Sequence, residues 1–129
     1  MALAILLISI CVAVFIIRRF LRQTIKKQAI KTLNLIETSF NESADANTCL
    51  SEISVLLRRV TISRNPQDAG LTGPAWLKSL DLLSKSHVAK PEFSEGIGRI
   101  LLTGPYQAQV GNEDAVQLLQ LCRKAVNRL

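Results

Sequence analysis

The chain has 129 residues, is 48% hydrophobic and carries a formal net charge of +6. That length allows one small domain beside any membrane segment. The charge is local and does not define a nucleic-acid binder. Six of the sixteen Lys and Arg fall between residues 18 and 31, where there is no acid, and the other ten balance all ten Asp and Glu. A nucleic-acid module needs basic residues spread over a folded face, with aromatics or a known motif; aromatics are 5% here.

The first seventeen residues, MALAILLISICVAVFII, are uncharged. As a helix they span about 26 Å, close to a hydrocarbon core of about 30 Å. Phe20 and Leu21 extend the span, because arginine side chains reach back to the interface. Residues 1–21 are therefore predicted to form one transmembrane helix. A cleaved signal peptide would place positive charge first and a small-residue site last, and this order is reversed. The charge order predicts an external N-terminus and a cytoplasmic C-terminal part. Arg18, Arg19, Arg22, Lys26, Lys27 and Lys31 form a basic flank. Such a flank attracts anionic lipid headgroups by about 1 kcal/mol per residue.

Residues 22–40 contain no Gly or Pro, and Phe20, Ile25, Leu33, Ile36 and Phe40 give a loose apolar stripe, so the helix is expected to continue as a basic juxtamembrane segment. Residues 41–47 (NESADAN) read as a turn-rich connector. A second helix is predicted over 48–63, with Cys49, Ile53, Leu56, Leu57 and Val60 at helical spacing and a stop at Asn65-Pro66. A loop punctuated by Gly70 and Gly73 follows. Thr72 is a suitable N-cap for a third helix, with Pro74 in its first turn and Trp76, Leu77, Leu80 and Leu83 on its buried face. That helix is expected to end near Ser86. Ser94 would cap a short fourth helix carrying Ile97, Ile100 and Leu101 and ending at Gly104-Pro105. Asn112 would cap the last helix, with Glu113 and Asp114 in its first turn and Ala115, Leu119, Cys122 and Val126 on its core face. Strand-type alternation is absent. The expected fold is all-α: a transmembrane helix (1–21), a basic juxtamembrane helix (22–40) and a small cytoplasmic bundle (41–129), with four to five helices beyond the membrane.

Three cysteines make no complete disulfide framework, and there is no C-x-x-C. Cys11 lies in the membrane segment, and Cys49 and Cys122 sit at apolar helix positions, so free thiols in a reducing compartment are expected. His87 is the only histidine, whereas a catalytic zinc site generally wants two or three with a carboxylate. Glu95-Gly96-Ile97-Gly98-Arg99 fits neither the dinucleotide pattern, which needs glycine at Leu101, nor Walker A. Its glycines are read as permitting close packing. Asp68-Ala69-Gly70-Leu71-Thr72-Gly73 lacks the pattern of a nucleophile elbow or a calcium loop and reads as a structured turn. No cofactor, metal or small-molecule substrate is expected. Arg58, Arg59 and Arg64 suit either a solvated face with internal ion pairs or a partner-docking edge, since Arg is enriched at interfaces. Leu71 and Thr72 in the adjoining turn are docking candidates with them. Trp76 and Leu80 are assigned to the core, where one large aromatic anchors so small a bundle.

Three stretches together resemble a known family: Leu56-Leu57-Arg58-Arg59-Val60-x-Ile62-x-Arg64-x-Pro66; Ala69-Gly70-Leu71-Thr72-Gly73-x-x-Trp76-Leu77-x-x-Leu80-Asp81; and Phe93-Ser94-x-Gly96-x-Gly98-Arg99-x-Leu101, closed by Pro105-Tyr106. In that order, behind an N-terminal membrane helix, they are similar to the domain of unknown function 4381 family, over nearly the whole chain. The resemblance implies a small bacterial single-pass inner-membrane protein, encoded beside MoxR-type AAA+ ATPases and proteins with von Willebrand factor A (VWA) domains. It supplies no catalytic residue. Members often carry a short Pro/Trp-containing segment before the membrane helix; it is not seen here, and a truncated N-terminus is one reading of that. The leading expectation is a non-enzymatic adaptor that docks a MoxR-type ATPase or a VWA protein at the cytoplasmic face. The alternatives are an uncharacterised envelope-associated enzyme or regulator and a simple structural anchor. The anchor would pair through Ser9 and Ala13, a small-xxx-small spacing.

Overall fold

Helix α1 runs unbroken over Ala2–Ser43. Its first half stands clear of the remainder, with every residue from 1 to 23 exposed. Its second half turns Ala29, Leu33, Ile36 and Phe40 inward at three- and four-residue spacing, which puts them on one helical face. The structure is a computed structural model that describes residues 1–84, 91–107 and 110–129.

The expected connector over 41–47 shrinks to two residues. Ala44 takes a left-handed conformation at φ 54° and donates its N–H to the Phe40 carbonyl at 2.7 Å, which closes α1. Asp45 then caps helix α2, Ala46–Arg64: its carboxylate accepts from the Thr48 N–H at 3.2 Å and the Thr48 hydroxyl at 2.6 Å. Those two bonds hold the Asp45 carboxyl below its ordinary pKa. Helix α2 buries Cys49, Leu50, Ile53, Leu56, Leu57 and Val60, and it packs on both α1 and α5.

A short 3-10 turn, Pro66–Gly70, leads into α3, Gly73–Leu83. Thr72 occupies the N-cap position in an extended conformation, but its side chain makes no capping bond. Gly73 sits at φ +59°, a conformation L side chains rarely adopt. Helix α3 ends at Leu83, earlier than the expected Ser86, with the Ser84 N–H closing on the Leu80 carbonyl at 2.9 Å. His87 lies outside the described residues.

The fourth helix is not the Ser94-capped element the sequence suggests. The backbone N–H groups of Phe93 and Ser94 donate instead to the buried Asp81 carboxylate, at 2.8 and 3.1 Å. A 3-10 turn (Ile97–Arg99), one turn of α4 (Ile100–Thr103) and another 3-10 turn (Gly104–Tyr106) follow. Helix α5 spans Asn112–Asn127; Gly111, not Asn112, takes the cap position, with no side-chain bond. Among the described residues there are five α-helices and no strand, so the fold is all-α with one long apolar N-terminal helix. The core lies where α1, α2 and α5 meet, closed by Trp76, Leu77 and Leu80 of α3 and by Phe93 and Leu101.

Candidate functional site

Helix α2 carries all three candidate arginines, and the structure sends them to three different places. Arg58 is half-buried and internally engaged. Its guanidinium carbon lies 4.4 Å from the centroid of the Trp76 ring, and one of its N–H groups donates to the Leu71 carbonyl at 3.0 Å. A cation over an indole face is attracted by the ring quadrupole, so Arg58 fastens the 66–72 turn and α3 to α2. Trp76 beneath it is 2% exposed, and its indole nitrogen has no hydrogen-bond partner among the described residues. Leu80, one turn on, is equally buried. The turn is fastened a second time by Asp68, which accepts from the Ser79 hydroxyl at 2.7 Å. Leu71 is half-buried against the core, and Thr72 is exposed.

Arg59 is exposed and points the other way. With Glu52 it borders a groove of about 480 Å³ between α1 and α2, whose other lining includes Leu35, Ile36, Val55 and Leu56. Leu35 and Val55 are 63% and 52% exposed, so the groove floor is apolar surface facing solvent. On the far flank of α2 a second cleft of about 430 Å³ is lined by Arg58, Thr72, Trp76, Leu102 and Tyr106. Val55 lines both, which makes it the ridge between them.

Arg64 ends α2 and faces α1. It shares a cleft with Arg18 and Arg22, next to the apolar N-terminal half. Burial holds its pKa below the ordinary arginine value, and the neighbouring Arg22 charge adds to that effect.

The rest of the basic flank divides. Lys26 donates to the Asn127 carbonyl at 3.0 Å, placing its charge at the C-terminal end of α5. Arg19, Lys27 and Lys31 are exposed. Arg123 of α5 pairs with Glu37 and donates to Asn34 at 3.0 Å, so polar contacts as well as apolar ones hold α5 on α1.

Two of the three thiols are buried, and Gly98 sits at a close backbone approach. Cys49 and Cys122 are buried, and burial pushes both thiols up, Cys49 to about 11; neither is poised as a thiolate nucleophile. A Cβ on Gly98 would come within 2.5 Å of the Phe93 Cα, so this glycine is where the 91–99 turn folds back on itself. Among the described residues no group of three or more His, Cys, Asp or Glu is arranged to hold a metal ion.

Sequence reasoning left out two features. Asp81 is an acid on an otherwise apolar face, and only the turn it anchors reveals its use. The approach of Arg64 to Arg22 joins positions far apart in the chain, which no local pattern reports.

The architecture defines an all-α protein whose N-terminal helix is long and apolar enough to cross a membrane. The model of the family called domain of unknown function (DUF4381) matches residues 1–128, and the chain belongs to that family. No curated protein and no solved structure matches.

Proposed function

We propose that this protein is a non-enzymatic, single-pass adaptor of the bacterial inner membrane, with its N-terminus outside and its helical domain at the cytoplasmic face. The basic flank would rest on anionic headgroups, and the domain would dock a MoxR-type ATPase or a VWA-domain protein. The observation that carries the reading is the exposed ridge of α2: Val55 stands between two clefts, with solvent-facing Leu35 on one side and Arg59 at the rim. Apolar surface rimmed by charge is what a protein interface uses. The fixed charge order around the apolar helix supports the orientation.

Because Arg58 is tied to Trp76, reversing it would disturb the fold as well as any interface. Val55 and Arg59 are the cleaner probes. The C-terminally tagged protein is solubilised from native membranes, cross-linked and its partners identified. The expected result is recovery of a MoxR-type ATPase or a VWA protein, lost in a Val55→Asp, Arg59→Glu variant that keeps its helical circular dichroism. Clean recovery of the protein alone at native expression would overturn the adaptor reading, as would unchanged capture by the variant.

A further inference from the structure

Where α1 leaves its uncharged segment, the ends of α2 and α3 come back to meet it. The cleft they enclose is about 760 Å³ and is lined by Arg18, Leu21, Arg22 and Ile25 of α1, by Ser63, Arg64 and Asn65 at the end of α2, and by Leu82 and Leu83 at the end of α3. Three arginines line it, Arg22 close enough to Arg64 to lower its pKa, and no acid among the described residues lines it. One terminal nitrogen of Arg64 is shut off from solvent with no hydrogen-bond partner among the described residues. A buried charged donor left without an acceptor is costly, and like charges facing it add to that cost. An anion seated between the arginines would relieve both, and a phosphate offers the oxygens that guanidinium groups bind best.

The position selects the source of the anion. Arg22 lies five residues beyond Ile17, about 7.5 Å along the helix axis. With residues 1–17 filling most of the hydrocarbon and Phe20 and Leu21 completing the span at its edge, Arg22 stands at the level of the headgroups. The apolar part of the lining fits the same source: Leu82 is 65% exposed and Leu21 is also exposed, next to where acyl chains would begin. We infer that this cleft is a discrete binding site for the phosphate of an anionic phospholipid, held by Arg18, Arg22 and Arg64. The site rests on the membrane-anchor reading of α1. It goes beyond general attraction to a basic flank, because Arg64 belongs to the folded domain.

The test uses the full chain, delipidated in detergent and titrated with phosphatidylglycerol or phosphatidylcholine under native mass spectrometry. One phosphatidylglycerol per chain is expected to be retained in preference to phosphatidylcholine, with retention reduced about tenfold in Arg64→Gln. Lys27→Gln, Lys31→Gln, which removes two exposed charges outside the cleft, should keep it. If circular dichroism shows Arg64→Gln unfolded, Arg22→Gln on the exposed helix serves instead, with the same loss expected. Equal retention of the two lipids, unchanged retention in both arginine variants, or equal loss in the lysine variant would overturn the site. So would saturation by inorganic phosphate with no preference for the lipid, which would identify a free-anion site. Alkaline extraction of native membranes separates the two readings. Release of the chain into the soluble fraction overturns the anchor and the lipid site together; retention without phosphatidylglycerol preference overturns the site alone.

Discussion

Arg58 and Arg59 are neighbours in sequence and opposites in circumstance. Arg58 covers Trp76 and holds the Leu71 carbonyl, whereas Arg59 stands in solvent at the edge of a groove. Arg58→Ala is expected to cost about 1–3 kcal/mol, from the lost ring contact and an unmet carbonyl. Arg59→Ala should stay within about 0.5 kcal/mol, as exposed substitutions usually do. Chemical denaturation of the two variants in the same detergent checks this; equal costs would show that Arg58 does not fasten the turn. The pair also marks the limit of reading residues locally. That both lie on one turn of a helix follows from spacing, but which one meets an indole eighteen positions away is decided by how α3 returns.

At the scale of elements, the legible parts are those with a strong local signal. The face of α2 was readable because Cys49, Ile53, Leu56, Leu57 and Val60 repeat at helical spacing, and all five are buried. The face of α1 was readable only in part. Leu33, Ile36 and Phe40 are buried as their spacing suggests, but Phe20 is exposed and Ala29 takes an inward position. A methyl group carries little hydrophobic signal, so its place in the packed core rather than composition selects Ala29. Helix ends were read least well. The α1–α2 corner turns on Ala44, although glycine or asparagine is the usual residue in a left-handed cap. The strain of a Cβ there makes Ala44→Gly an expected stabilisation of about 1 kcal/mol. A rise in melting temperature of the full chain checks it, and a fall would mean that the corner is relaxed in some other way.

For the whole molecule, the basic segment after the apolar run is a wall of the bundle as well as a flank. Leu33 is fully buried in the joint core, while Leu35, two residues on, faces solvent. Leu33→Ala should cost about 2–5 kcal/mol by cavity formation, and Leu35→Ala should leave stability nearly unchanged. Comparing the two by thermal unfolding tests whether residues 29–40 belong to the cooperative unit; matching melts would say that they do not. The candidate clefts were the least legible features of all. Each is made by residues from two to four elements, and nothing in the spacing of Arg18, Arg64 and Leu82 says that they share a rim.

Helix α1 also acts as a drive shaft. Its 42 residues contain neither glycine nor proline and run about 63 Å from the exposed apolar end to the Ala44 corner. With no hinge along that length, the bundle inherits the tilt and azimuth of the apolar segment. One residue added or removed between Ile17 and Ala29 would turn the bundle by about 100° relative to that segment, and Arg64 would swing away from Arg18 with it. The length of the basic run is thus a rotational setting, which fixes which side of the domain lies in line with a given face of the apolar segment.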